Sequence, residues 1–181
     1  MHKVVGLLFA GSLLVPFGFV AANPAGAAAA KLPTCTKLKG VQKYSPALPQ
    51  LGKTTTVTSK VTINVTVGGC TGGGVTGSTN TSAYSYTGNC LSLITHKGAI
   101  KGTAAVKWSN GKTSSMTTAL TTTSKPGANP VLATLVSKVT KGQFIGTTST
   151  EKLKITLPAN ACVKAGLSGN TFVNIGSFTY K

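Results

Sequence analysis

A strict alternation of apolar and polar residues in several short segments is the feature that most constrains the fold. From Val57 to Val67, Val and Ile occupy most odd positions, while Thr, Lys and Asn occupy the even ones. Successive side chains of a strand point to opposite faces, so this spacing predicts strands with one apolar and one solvated face. The same spacing recurs in residues 100–108, 131–139 and 153–157. The last segment, 171–180, has apolar residues on both faces, and we expect it to be covered on both sides.

Residues that favour turns separate these segments. Gly pairs and triplets occur at 68–69 and 72–74, and Asn110–Gly111 and Pro126–Gly127 interrupt the pattern later in the chain. Short strands at such intervals are typical of antiparallel sandwiches and barrels. From these patterns we predict that residues 31–181 form a single all-β domain. Its expected architecture is an antiparallel β-sandwich, Ig-like or jelly-roll-like, with about eight to ten strands.

The Asn110–Gly111 turn permits a prediction of strand register. A two-residue loop would place Val106 opposite Ser115, which sets an apolar face against a polar one. A three-residue loop, 109–111, places Ala104 opposite Met116 instead. Because the hydrophobic pattern fixes register, we predict the three-residue loop, a type I turn with Gly111 in a left-handed bulge.

The N-terminal residues 1–30 have the pattern of a secretory signal peptide. A basic start at Lys3 precedes an apolar run from Val4 to Val20, and an Ala-rich stretch follows. We predict cleavage after Ala30, with Ala22 as a second acceptable site, and a mature protein that is secreted or associated with the cell envelope. The alternative is a retained membrane anchor, for which the apolar run is short.

All four Cys residues lie after this segment, at positions 35, 70, 90 and 162. An even number of Cys in an exported chain predicts two disulfides, and the sequence permits three pairings. We favour a bond between Cys70 and Cys90, which would link the two ends of the Gly-rich segment between them. The second bond, between Cys35 and Cys162, would link the N-terminus to the last strand.

The chain carries few groups that handle protons. All 18 basic residues are Lys, Glu151 is the single acidic residue, and the formal net charge is +17. Apart from His2, His96 is the one imidazole. Paired-carboxylate hydrolysis, a Ser-His-acid triad and a carboxylate-rich metal site all need more such groups. We therefore expect no enzymatic activity, cofactor or metal; an enzyme would require His96 and Glu151 within hydrogen-bond distance of each other and of a Ser.

Glu151 lies in phase with the apolar positions Leu153 and Ile155. A carboxylate on an apolar strand face conflicts with the alternation. We expect a bulge within 149–151 to turn the Glu151 side chain outward, toward Lys152 or another Lys.

The Lys residues are spread over the outward faces and turns of the predicted strands. Such a field attracts phosphate-rich or carboxylate-rich polymers. The chain has no Arg, whose guanidinium group forms two parallel hydrogen bonds with a phosphate or a base edge. We therefore expect no sequence-specific nucleic-acid binding. The main functional expectation is a non-enzymatic protein that binds anionic envelope polymers or acidic glycans weakly. The alternative is a charge that only maintains solubility. The residues singled out for this binding are Lys97, Lys101, Lys107, Lys152 and Lys154.

Aromatic residues suggest a second function. Tyr84 and Tyr86 alternate on one strand face, and Trp108 ends another strand. Exposed on a sheet, such rings stack on sugars, so a carbohydrate-binding module is the alternative function. Packing in the core is the competing interpretation, and we expect it for Trp108, which shares a face with Ile100 and Val106.

Several short motifs suggest a resemblance to other proteins. They are Cys35–Gly40, Tyr44–Leu48, Gly69–Gly72, Gly88–Cys90, Trp108–Gly111 and the isolated Cys162. In these motifs and in Cys spacing the chain resembles the uncharacterised secreted, Thr- and Gly-rich four-cysteine proteins of actinobacteria. The resemblance spans the predicted domain. It implies a secreted β-sandwich, and it implies no activity and no functional residues.

Overall fold

The computed structural model describes residues 31–94, 99–124, 129–164 and 166–181, so the predicted signal peptide, 1–30, lies outside the described residues. The described chain forms ten β-strands and one short α-helix. In chain order these are β1 (Thr34–Cys35), β2 (Lys37–Leu48), β3 (Val57–Gly68), β4 (Gly77–Gly88), α1 (Cys90–Ile94), β5 (Ile100–Trp108), β6 (Thr113–Thr122), β7 (Val131–Gly142), β8 (Thr148–Thr156), β9 (Leu167–Asn174) and β10 (Phe178–Thr179).

Strands β2 to β9 form a closed antiparallel barrel. Each strand pairs with its neighbour in the chain, and β9 returns to pair with β2, for example through Val41 and Thr171. The short strands β1 and β10 form a separate two-stranded sheet. The predicted β-sandwich is therefore wrong. Sandwiches and barrels both bury one face of each strand, so the alternation of residues does not distinguish them; closure depends on the pairing of β9 with β2.

The alternation itself correctly identifies the inner face of the barrel. In β3, Val61 is buried and Lys60 is exposed, and β5 begins and ends where the pattern predicts. The three-residue loop after β5 is confirmed, because Ala104 pairs with Met116. Gly111 has a φ of 82°, as the bulge requires.

Each end of the barrel is closed by its own hydrophobic cluster and its own disulfide. At one end, Cys35–Cys70 belongs to a cluster that includes Trp108 and Tyr180. At the other end, Cys90–Cys162 packs with Leu48 and Leu167. The prediction of two disulfides is confirmed, and the favoured pairing is wrong. Cys70 and Cys90 flank β4, which crosses the barrel from one end to the other, so they lie at opposite ends.

The last strands are not covered on both faces as expected. Val173 on β9 is 45% exposed and Ile175, just after β9, is 49% exposed. Their even-numbered neighbour Phe172 is buried in the barrel. The apolar residues of this segment therefore face both the interior and the solvent.

Candidate functional site: a cavity inside the barrel

The barrel encloses a cavity of about 100 Å³. An eight-stranded barrel is wide enough either to be filled by its own side chains or to hold one small ligand. Here, small inward-facing residues on the β4–β7 side leave part of the interior empty. These residues are Ser82, Gly102, Ala104 and Ser137.

The lining of the cavity is largely apolar. Met116, Leu135, Leu153, Ile155 and Phe172 contribute much of it. A few polar side chains interrupt this surface, among them Gln42, Asn80 and Glu151. An apolar concave surface with a small number of polar groups is the usual composition of a small-molecule site.

Glu151 is the most unusual residue of the cavity. Its side chain is only 3% exposed. Ser149 Oγ donates a hydrogen bond of 2.6 Å to Glu151 Oε1, while Oε2 is buried and has no hydrogen-bond partner. Burial raises the pKa of this carboxyl from 4.5 to about 7, and the hydrogen bonds from Ser149 and from its own backbone amide oppose that shift only partly.

The expectation of an exposed Glu151 is therefore wrong. β8 pairs with β7 in unbroken register from Thr148 to Ile155, so the expected bulge at 149–151 is not there. Glu151 stays in phase with Leu153 and points into the barrel. The irregularity lies instead between β6 and β7, where Ser115 pairs with Lys141 and Met116 with Val139.

An aromatic cluster closes the end of the cavity next to Glu151. The rings of Trp108 and Phe144 meet edge to face, with their centroids 4.9 Å apart, and Tyr180 contacts both. Tyr180 is 2% exposed. Burial, and then the charge of Glu151, raise the pKa of its hydroxyl, while a hydrogen bond with Ser149 opposes the shift. Tyr180 is therefore a neutral phenol beside the carboxyl.

A chain of polar side chains crosses the interior toward the opposite end. Gln42 Nε2 donates to the Tyr84 hydroxyl at 2.8 Å, and Asn170 Nδ2 donates to Gln42 Oε1 at 3.3 Å. Burial raises the pKa of Tyr84 to about 12. Asn170 Oδ1 is buried without a partner. These groups satisfy one another in part and bound the cavity on the side away from Tyr180.

Pairing along the barrel wall is short at two places, between β4 and β5 and between β8 and β9, and the first of these lies beside the cavity. Only Ser78–Thr81 of β4 pair with β5, through Ala105–Trp108. Lys101, whose side chain is exposed, nevertheless contributes to the cavity lining near the beginning of β5. The cavity lining therefore comes close to the surface at this seam between β4 and β5.

The Lys residues singled out in the sequence do not form one site. Lys101 and Lys107 lie on β5, whereas Lys152 and Lys154 lie on β8, and β6 and β7 separate the two pairs. All four side chains are exposed. Lys97 and His96 lie outside the described residues.

The aromatic residues do not form an exposed platform. Trp108 is 1% exposed, which confirms the prediction that it packs in the core. Tyr84 lines the cavity, and the Tyr86 hydroxyl lies 3.1 Å from Ser92 Oγ beneath α1.

Sequence reasoning missed the interior polar residues Gln42, Asn80, Ser82 and Asn170. In β4 the inward positions include Ser78 and Asn80 and the outward ones include Thr79 and Thr81, so polarity does not distinguish the two faces. For Glu151 a signal was present, because its phase matched that of Leu153 and Ile155.

Within the described ranges, no group of three or more His, Cys, Asp or Glu side chains is placed to hold a metal ion. Among the same residues, no helix is both long and apolar enough to cross a membrane. Comparison of the chain with protein-family models, characterised proteins and solved structures finds no match. The resemblance to actinobacterial secreted proteins therefore stays an expectation.

Proposed function

We propose that this is an exported, non-enzymatic binding protein that holds a small, largely apolar molecule inside its barrel. The observation that carries the proposal is the apolar cavity with a buried, unsatisfied carboxyl oxygen, Glu151 Oε2. Empty apolar volume lowers stability, and an unpaired buried polar atom adds a further cost. A ligand that fills the cavity offsets both.

The groups around the cavity favour binding of a ligand over its chemical conversion. Glu151 is the only carboxyl side chain of the protein, and its described neighbours Ser149 and Tyr180 provide no second group that exchanges protons near neutral pH. Acid–base catalysis needs groups whose pKa values suit both steps of proton transfer.

Two disulfides support export, because such bonds form and persist in oxidising compartments. The signal-like segment 1–30 points to the same destination. We place the mature protein outside the cell or in its envelope.

The proposal is tested by a substitution on β5 that fills part of the cavity. Ala104 faces the interior and lines the cavity, while its neighbour Ala105 faces the solvent. Ala104→Val is expected to reduce binding of isopentane, detected through side-chain methyl NMR shifts, by at least about tenfold. Ala105→Val is the matched control and should leave binding unchanged. Equal binding by both variants, or no binding by the unaltered protein, would refute the proposal.

A second candidate function, weak binding of anionic polymers, is favoured by the outer surface. Every Lys in the described ranges is exposed, and the one acidic side chain is inside the barrel. Lys154 pairs with Val173, which pairs with Lys39, so two Lys from distant parts of the chain flank one exposed apolar residue. Lys152 lies on the same strand face as Lys154.

We expect retention on an anionic polymer to collapse between roughly 50 and 200 mM salt, as release of counterions requires. Replacing Lys39, Lys152 and Lys154 by Gln should weaken retention more than replacing Lys101 and Lys107 together with the less clustered Lys60. Retention that ignores salt, or equal losses in the two variants, would exclude a binding face at β8–β9–β2.

A further inference from the structure

The single carboxylate of this protein occupies an exceptional position. In a chain of net charge +17, Glu151 lies on the inner face of β8, whereas every Lys among the described residues is exposed. Of its two oxygens, Oε1 accepts the hydrogen bond from Ser149, and Oε2 has no partner. Because Glu151 lines the cavity, the unused oxygen is available to a molecule within it.

The groups around Glu151 define the chemistry of that molecule. An ionised carboxylate only accepts hydrogen bonds, so the ligand must donate one. Apart from Ser149 and the Tyr180 hydroxyl, the neighbours are mainly apolar, with Leu135 opposite Glu151 on β7 and Leu153 next on the same face of β8. The ligand therefore needs one donor group at the end of an apolar body.

We propose that the cavity binds a small primary amine, whose nitrogen donates a hydrogen bond to Glu151 Oε2 and whose apolar body packs against Leu135, Leu153 and Ile155. This inference rests on the proposed function. A protonated amine brings the opposite charge as well as the donor, and charge-assisted hydrogen bonds are shorter and stronger than neutral ones. A hydroxyl supplies the donor but leaves the buried charge uncompensated, and an anion is repelled.

The size of the cavity limits the ligand. An apolar cavity of about 150 Å³ can hold benzene. Scaled from the six carbons of benzene, the cavity of about 100 Å³ in this barrel suits a molecule of about four to five non-hydrogen atoms. Isobutylamine has this size and an unbranched CH₂ between its nitrogen and its apolar end.

The experiment compares ligands that share an isopropyl group. Isobutylamine, isobutanol and isobutyrate differ in the polar group, and isopentane lacks one. Binding is measured through the methyl NMR signals of Met116 and the cavity Leu residues at pH 8.5. Isobutylamine is expected to bind at least about tenfold more tightly than isobutanol, and isobutyrate more weakly than both.

Two further measurements assign the preference to Glu151. Glu151→Gln should remove the preference for the amine while isopentane still binds, and Lys138→Gln, on the outer face of the neighbouring strand β7, should preserve it. In the unaltered protein, lowering the pH to 5.5 should also remove the preference, because Glu151 becomes protonated. Tyr180 is the other titratable side chain that faces Glu151 among the described residues, and its raised pKa keeps it neutral at both pH values.

The outcomes separate the two proposals. If isopentane binds but the amine has no advantage, or if its advantage survives either Glu151→Gln or pH 5.5, the amine inference is wrong and the binding function stands. If neither isopentane nor any member of the series binds, the proposed function fails with it. The pH comparison uses the unaltered protein and so does not depend on the folding of a variant.

Discussion

At the scale of single residues, the buried carboxyl of Glu151 links stability to pH. Burial is the largest cause of its raised pKa, so the folded protein holds this proton more tightly than the unfolded chain does. No other side-chain carboxyl titrates in the same range, because the chain has none. An imidazole such as that of His96 has an ordinary pKa of about 6.5, so the contribution of Glu151 is isolated by comparing the protein with the Glu151→Gln variant.

The pKa values define the direction of this dependence. Between pH 4.5 and about 7 the unfolded chain loses the proton of Glu151 while the folded protein keeps it. The free energy of unfolding should thus fall as the pH rises through this window, by about 3 kcal/mol in total. Thermal unfolding at pH 4.5 and at pH 8 should show a Tm lower by roughly 5–10 °C at pH 8. Glu151→Gln should have nearly the same Tm at both values, and a parallel decrease in this variant would contradict the assignment.

At the scale of elements, the sequence predicts strands and their inner faces well. Residues such as Val61 and Trp108 alternate clearly with Lys or Thr, and the Asn110–Gly111 turn fixes the register of β5 against β6. Barrel closure and disulfide pairing were predicted wrongly. Both depend on contacts between residues far apart in the chain, such as Cys90 with Cys162, and local alternation carries no information about these contacts.

The candidate site was the least predictable part of the molecule. A cavity results from the sizes of side chains on several strands, here Gly102 and Ala104 on β5 with Ser137 on β7. None of these residues is unusual in its own segment. Only Glu151 carries a local signal, because it is a carboxylate on an apolar strand face. The expected bulge at 149–151 would turn it outward, whereas the structure places it inside the barrel.

The seam between β4 and β5 gives a prediction about local opening. From residue 82 to 88, β4 keeps its pairing with β3 but has no pairing with β5 in the described chain. Backbone amides of 82–88 that point away from β3 should therefore exchange with solvent faster than those of 78–81 that point toward β5. Hydrogen exchange followed by NMR checks this. Equal protection of the two groups would mean that the seam is closed in solution.

At the scale of the whole molecule, the two disulfides stabilise opposite ends of one barrel. Cys35–Cys70 joins residues 35 apart, and Cys90–Cys162 joins residues 72 apart. Loops of these lengths correspond to about 4 kcal/mol each, with slightly more for the longer one. Together they offset part of the conformational entropy that a barrel built from distant pairings must lose on folding.

Denaturant unfolding of paired Cys→Ala variants tests how much each disulfide stabilises the fold. Removing Cys35 and Cys70 together, or Cys90 and Cys162 together, should lower the free energy of unfolding by about 4 kcal/mol in each case. Digestion of the unreduced protein should yield one peptide pair that contains Cys35 and Cys70. A fragment that joins Cys70 to Cys90 would instead support the pairing favoured from sequence and contradict the structure.

The placement of these cross-links also affects how quickly a bound molecule leaves the barrel. With a covalent bond and a hydrophobic cluster at each end, we expect the ends to open more slowly than the wall between β4 and β5. No disulfide joins the halves of β4 and β5 that lack mutual pairing. If the cavity holds a ligand as proposed, reducing agents should shorten the lifetime of the fold far more than they change the rate at which the ligand leaves molecules that are still folded.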